Sequence, residues 1–295
     1  MGAVGFYLFY VLNWIVTLLP LRILYLFSDI LFLFLYYFPG YRRKIVATNL
    51  KNAFPQKTKK ELARIEKKFY HHLSDQFIEI FKLTHLSKNQ AFKRFMLTDT
   101  NLLNRLFSED RDVVAVLGHY ANWEWLSVSL PFFTNLKTVS IYKPLKNKYF
   151  DKYMTNMRSK YGFVMTPMSN VLREIINNRK KNIRSMYAVI TDQTPPEGDI
   201  KFWINFLNQD TPVYLGAEKI AEKYDMAVVF FNVQKIKRGY YTLTPELLFE
   251  HSKGLPEHLI TETHVRRLEQ IICMKPEYWM WSHRRWKYKR EHSDG

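Results

Sequence analysis

The spacing of apolar positions divides the chain into three parts. From Gly5 to Phe38 the sequence GFYLFYVLNWIVTLLPLRILYLFSDILFLFLYYF is apolar all round, with only Arg22 and Asp29 charged. A helix from Gly5 to Leu19 would reach about 22 Å at ~1.5 Å per residue, short of the roughly 30 Å hydrocarbon thickness. Two arrangements suit it: a tilted crossing that uses residues beyond Pro20, or a hairpin-like pair lying in one leaflet with Arg22 snorkelling to the headgroups. A helical pair buried in a soluble core would need a large partner surface for so many aromatics. A signal peptide fits poorly, because the basic leading region is missing and the apolar stretch runs past any small-residue cleavage point.

The second part begins with Thr58 and Glu61, spaced as a capping box. Leu62, Ile65, Phe69, Leu73, Phe77 and Phe81 then recur every three or four positions. That period predicts an amphipathic helix with its charged residues on the other face.

From about residue 111 the period shortens. The β-like runs VVAVL (113–117), TVSIY (138–142), SMYAVI (185–190), AVVFFNV (227–233) and YYTLTPELLF (240–249) alternate with helix-like stretches near 149–160, 170–180, 213–224 and 257–273. Such alternation predicts an α/β fold: a central mainly parallel or mixed sheet flanked by helices. No internal repeat or low-complexity tract is present. The one boundary the composition suggests is near Pro39 and Gly40, separating a membrane-anchoring helical segment, 1–39, from a globular domain, 40–295.

Charge narrows the partners. Forty-four basic and 27 acidic side chains leave a net +17, spread along the chain. Such a field favours nucleic acid, an acidic protein, phosphorylated lipid or an anionic bilayer. No Lys or Arg precedes Arg22, whereas GYRRK follows at 40–44, so the positive-inside tendency places the globular domain on the cytoplasmic side. A single cysteine, Cys273, excludes an intrachain disulfide and a cysteine-based zinc site, and suits a reducing compartment. There is no G-x-G-x-x-G or phosphate-loop signature, and nucleotide binding has no support.

The candidate chemistry lies in VLGHYANWEW, residues 116–125. The pattern H-x-x-x-x-E occurs twice, at His119 with Glu124 and at His264 with Glu269. Positions five apart on a helix lie about 140° apart and cannot meet, which discounts His264 in its helical stretch TETHVRRLEQII. His119 instead follows a β-like run and Gly118, so it can occupy a loop while Glu124 points back from a first helical turn. A histidine held by a carboxylate can take a proton from a hydroxyl while the acid stabilises the imidazolium. No G-x-S-x-G elbow surrounds Ser127, which directs the reading to general-base chemistry without a protein nucleophile. On the residues alone, a histidine satisfied within an aromatic layer is the alternative.

LGHYANWEW, taken with the apolar start, MRSKYG, VITDQTPP and PEYWMWSHRRWK, resembles the bacterial lipid A biosynthesis late acyltransferases of the lysophospholipid acyltransferase superfamily, over nearly the whole chain. The resemblance implies transfer of a fatty acyl group from an acyl carrier protein thioester to a hydroxyl of a lipid A precursor at the cell inner membrane, with no metal or organic cofactor. It assigns His119 as the base and Glu124 as the group that orients and charge-balances it. Arg158 would bind a substrate phosphate or stabilise oxyanion charge, and Asp192 matches the D-Q segment at the substrate site. Trp123 and Trp125 are candidate walls of an acyl groove. Arg284 and Arg285, in the basic-aromatic WSHRRWKYKR, would contact phosphate or the membrane interface.

Bland readings stand beside these: Arg158 as a solvated helix cation, Asp192 as a turn organiser beside two prolines, and both tryptophans as core. Asn208, in FLNQDTPVYLGA, stands where the family tends to carry a glycine, which weighs against backbone binding of an oxyanion there. Interleaved basic and aromatic residues can also stack bases, but the apolar start has no place in a nucleic-acid-binding protein, and no nucleic acid is expected. Two other functions fit the same sequence. One is an acyltransferase of the superfamily acting on another glycolipid, aminolipid or lysophospholipid, with acyl-CoA as donor; the other is a non-catalytic peripheral protein that binds anionic lipid.

Overall fold

A computed structural model describes residues 2–38 and 40–290. The apolar start forms two helices, α1 (Ala3–Val16) and α2 (Leu21–Tyr37). They separate at Pro20, whose ring removes the N–H that a continuous helix would need. Their lengths are about 21 and 26 Å at ~1.5 Å per residue. No helix among the described residues is long and apolar enough to cross a membrane, so the expected membrane segment contains no spanning helix. One side of the pair packs on the body through Phe6, Leu21, Leu24 and Phe32, whereas Leu8, Leu12, Leu26, Phe27, Ile30 and Phe34 are exposed.

α3 (Arg43–Ala53) and α4 (Lys59–Lys82) follow, then α5 (Lys88–Arg94), β1 (Phe95–Leu97) and α6 (Asn101–Ser108). The alternating part begins at β2 (Val113–Leu117) and continues through α7 (Leu126–Ser129), β3 (Lys137–Tyr142), α8 (Lys148–Arg158), β4 (Val164–Pro167), α9 (Val171–Lys180) and β5 (Ser185–Ile190). A separate antiparallel hairpin, β6 (Phe202–Phe206) and β7 (Gln209–Val213), precedes α10 (Gly216–Tyr224), β8 (Ala227–Lys237), β9 (Tyr240–Phe249) and α11 (Leu259–Met274).

Seven strands form one sheet in the order β1-β9-β8-β2-β5-β3-β4. β2 runs parallel to both its neighbours, β5 and β8, while β8 and β9 are antiparallel. This is the mixed sheet expected from the alternation. Every residue of VVAVL is buried, as a central parallel strand covered on both faces requires.

The expected division of α4 into an apolar inner face and a charged outer face holds in part: Phe69 and Leu73 are buried and Lys60, Arg64, Lys67 and Lys68 exposed, but the division breaks down toward the helix end. Its capping box forms, with Thr58 N donating to Glu61 Oε2 at 2.7 Å and Glu61 N to Thr58 Oγ1 at 3.3 Å. Yet Phe77 is exposed, and Glu66, His72, Asp75, Gln76, Glu79 and Lys82 are buried. The physical reason is that α4 is covered from several sides, and each new neighbour brings a polar partner. Ser28 Oγ donates to Asp75 Oδ1 at 2.8 Å and Lys235 Nζ to Asp75 Oδ2 at 3.1 Å. The hydroxyls of Tyr25 and Tyr241 each donate to Glu79 at 2.7 Å. Buried carboxylates are tolerated when their oxygens are met in this way.

In the β6–β7 turn, Leu207 (φ 51°) and Asn208 (φ 60°) are both left-handed. Asparagine tolerates that conformation better than most residues, which explains an asparagine in a glycine's place. Its side chain donates to Ala53 O at 3.0 Å.

Candidate functional site

The register of the central strands builds the site. β2 and β5 pair in parallel with Leu117 beside Ile190, and Thr191 N continues the ladder to Leu117 O at 3.0 Å. Two residues beyond Leu117 comes His119, and two beyond Ile190 comes Asp192. They emerge side by side at the carboxyl ends of parallel strands, where open α/β sheets gather ligands. His119 Nδ1 lies 2.6 Å from Asp192 Oδ1, and the His119 backbone N donates to Asp192 Oδ2 at 2.8 Å. Trp279 Nε1 adds a third bond, 2.7 Å to the same Oδ2. With the carboxylate on Nδ1, that nitrogen carries the proton and Nε2 is left basic. Nε2 has Gln193 Nε2 beside it at 3.1 Å.

The expected pairing of His119 with Glu124 is therefore corrected. Glu124 takes the guanidinium of Arg158 in a two-point bond, Nε to Oε2 at 2.8 Å and Nη2 to Oε1 at 2.6 Å. The cause is local. Ala121 adopts φ 51°, and Asn122 caps a 3₁₀ turn at Trp123–Trp125 by accepting from Trp125 N at 3.3 Å. This turn replaces the α-helical one that would have aimed Glu124 back at the histidine. Glu124 instead faces the end of α8, and Asp192 takes the inner histidine nitrogen. His119, Glu124 and Arg158 line one cleft of about 420 Å³, together with Trp123, Tyr142, Met165 and Tyr214, while Asp192 is buried behind His119.

Electrostatics hold Asp192 ionised and favour the charge of Arg158. Burial raises the Asp192 carboxyl, but the His119 charge and the hydrogen bonds from His119 and Trp279 outweigh it and hold the group at about 2. Burial likewise opposes the charge of Arg158, and Glu124 overcomes it, so the guanidinium's pKa is raised.

The remaining expected residues divide. Trp123 sets its ring edge-on to His119, centroids 4.8 Å apart, and lines the cleft. Trp125 is corrected from groove wall to core: it is fully buried, with Nε1 donating to Glu79 O at 3.1 Å. Arg284 is exposed, whereas Arg285 is only 2% exposed. No protein atom accepts from Arg285 Nε or Nη1. Burial lowers its pKa to about 10, with Asp192 acting in opposition. The terminal basic-aromatic segment folds back as the rear wall of the site. Tyr120 and Trp279 form a β-bridge, Met280 N donates to His119 O at 3.2 Å, and Ala121 N donates to Tyr278 O at 2.9 Å.

The second histidine–glutamate match is divided as helical geometry requires: His264 is buried in α11, while Glu269 accepts from Leu207 N at 2.5 Å and Arg266 Nη1 at 2.7 Å. Among the described residues no cluster of His, Cys, Asp and Glu could hold a metal ion.

Sequence reasoning missed Gln193, Trp279, Asn122 and the α4 residues behind the loop. Gln76 and His72 both reach Ala121 O, and Asn122 Nδ2 donates to Glu79 Oε2 at 2.6 Å. Gly118 also has a reason: a Cβ there would sit 2.6 and 2.8 Å from the methyls of Leu268 and 3.2 Å from Asp192 Oδ2. One sign of the true pairing was readable, since VVAVL-G-H and SMYAVI-T-D place their polar residue at the same offset from the strand end.

Compared with known families, residues 2–288 match the model described as bacterial lipid A biosynthesis acyltransferase. No curated protein matches the chain.

Proposed function

We propose that this chain, which belongs to the bacterial lipid A biosynthesis acyltransferase family, transfers a fatty acyl group from an acyl carrier protein thioester to a hydroxyl of a lipid A precursor. The observation that carries the reading is His119, with Nδ1 held by an ionised Asp192 and Nε2 left to act as a base. The lipid hydroxyl gives its proton to Nε2 as its oxygen attacks the thioester carbonyl. The tetrahedral oxyanion collapses, the C–S bond breaks, and the departing thiolate takes the proton from the imidazolium. The products are an ester and the carrier thiol. Arg158, fixed in the cleft wall by Glu124, is the cation available to the oxyanion or to a substrate phosphate.

The route passes through no acyl-enzyme. Ser127 Oγ donates to Glu124 O at 2.7 Å, which occupies it away from the base. A thioester is already activated toward attack, so this chain's own residues suffice without a metal or organic cofactor. The net +17 charge favours encounter with both an acidic carrier protein and a phosphorylated lipid. The exposed apolar sides of α1 and α2 support a placement at the cytoplasmic surface of the inner membrane, with the apolar residues in the lipid and the sheet outside it.

The test uses purified full-length protein, labelled acyl carrier protein and a lipid A precursor. His119→Ala is expected to lower kcat by roughly 10²–10⁴ while circular dichroism stays unchanged. Undiminished transfer would remove His119 as the base. A stable acyl adduct that passes its chain to lipid would replace direct attack with a covalent route, and equal turnover of acyl-CoA would broaden the donor.

A further inference from the structure

A second pocket lies outside the reaction cleft, where α1 crosses α8. Its volume is about 530 Å³. The floor is aromatic: Phe6 stacks on Tyr149 with centroids 5.5 Å apart and meets Phe150 edge-on at 5.2 Å, and Tyr10 meets Tyr153 edge-on at 5.9 Å. This floor is anchored, because Asn13 Nδ2 and Thr84 Oγ1 both lie 2.8 Å from the Tyr153 hydroxyl. The rim carries Lys148, Lys152 and Lys160, and no Asp or Glu lines it among the described residues. Lys160 is pinned, donating to Thr84 O at 3.1 Å and Leu86 O at 3.0 Å. Lys148 and Lys152 stand one helical turn apart and are exposed. The neighbouring carboxylate, Asp151, is occupied by Leu145 N at 2.7 Å.

The pocket continues into apolar surface. Tyr7, Val11 and Ile15 form one ridge of α1 and Leu8 and Leu12 the next, and all five are exposed. Residues four apart share a helix face, so the two ridges make a strip that leads away from the lysines. A cationic, aromatic-floored hollow beside an apolar strip matches a molecule with an anionic head and hydrocarbon tails. An acidic protein would meet the lysines but leave the strip without a counterpart.

We propose that the pocket between α1 and α8 holds the phosphate headgroup of an anionic bilayer phospholipid, with its acyl chains along the exposed strip of α1. It is a docking site separate from the reaction cleft. Its consequence is orientation, because α8 also ends in Arg158 at the cleft wall, and a lipid held on one side of α8 fixes how the cleft meets the bilayer. The proposal shares with acyl transfer only the membrane-surface placement. Its readout is binding, so either reading can fail while the other stands.

The experiment is vesicle flotation with the full chain, using phosphatidylcholine alone and phosphatidylcholine mixed with phosphatidylglycerol. Lys148→Glu with Lys152→Glu is compared with Lys180→Glu and Lys181→Glu, an equal charge change at the end of α9, before β5 begins and away from the strand ends that form the cleft. Circular dichroism checks that both fold. The pocket variant is expected to lose partition to the phosphatidylglycerol vesicles by about tenfold or more at low salt, with the α9 variant close to the parent. A photoactivatable phosphatidylglycerol should label peptides containing Tyr149 and Tyr153. Equal losses in both variants would reduce the site to a diffuse basic field, and unchanged partition of the pocket variant would overturn it outright. Retained vesicle binding with lost binding of acidic acyl carrier protein would reassign the face to a protein.

Discussion

A carboxylate taken out of water beside an imidazole stays ionised only when donors replace the lost hydration, and Asp192 has three. It accepts from the His119 ring, the His119 backbone and the Trp279 indole. Asp192→Asn keeps the volume and removes the charge that balances the imidazolium. We expect kcat to fall by roughly 10²–10⁴ with KM nearly unchanged, measured by initial rates over a range of lipid acceptor. Wild-type kcat would leave Asp192 a purely structural role. Sequence spacing pointed to Glu124 because it counts positions along one segment, whereas the actual partner sits 73 residues away across a strand pairing. The identity of the base candidate was legible; its partner depended on the pairing of β2 with β5, of which the equal offsets of His119 and Asp192 from their strand ends gave a sign but not the register.

Among the elements, α4 bears most directly on the site although it contributes no cleft residue. Glu79 is fully buried, which pushes its carboxyl pKa up, and it receives Tyr25, Tyr241 and Asn122 as donors. Asn122 in turn caps the turn that carries Glu124. Glu79→Gln would set an amide N–H₂ against these donors, at a cost of about 1–3 kcal/mol. The expected outcome is a lower Tm by calorimetry and a reduced kcat well below the transition; an unchanged Tm would show that the network is not a constraint. The apolar strands were legible because a buried parallel strand reads as a continuous hydrophobic run. β1 and β4 are too short to show a period, and the Gln209–Val213 strand is largely polar. The inner polar face of α4 was hidden for another reason: Tyr25, Lys235 and Tyr241 come from two distant parts of the chain, and without them those acids read as solvated.

For the whole molecule, buried titrating groups set the response to acid. Burial holds His264 and His283 at about 4, below the ordinary 6.5, so the unfolded chain binds more protons between those values. Their contribution is complete above about pH 6.5 and is lost as pH falls toward 4. Asp192, ordinarily 3.8 and here about 2, contributes above its ordinary value and loses that share as pH falls through 2. Tm measured from pH 7 down to 4 should decline, and His264→Leu should flatten the slope; parallel curves for parent and variant would contradict this account. The mixed sheet was readable from the alternation of runs, whereas the path of the terminal segment was not, because its tryptophans and arginines read equally well as surface. That segment binds the site to distant stretches of chain: His119 must find Asp192, and Asp192 must then find Trp279, 87 positions further on. Contacts of such long range close slowly. Assembly of the His119, Asp192 and Trp279 cluster is thereby a property of the finished tertiary arrangement, dependent on strand pairing and on the return of the terminal segment rather than on any local turn.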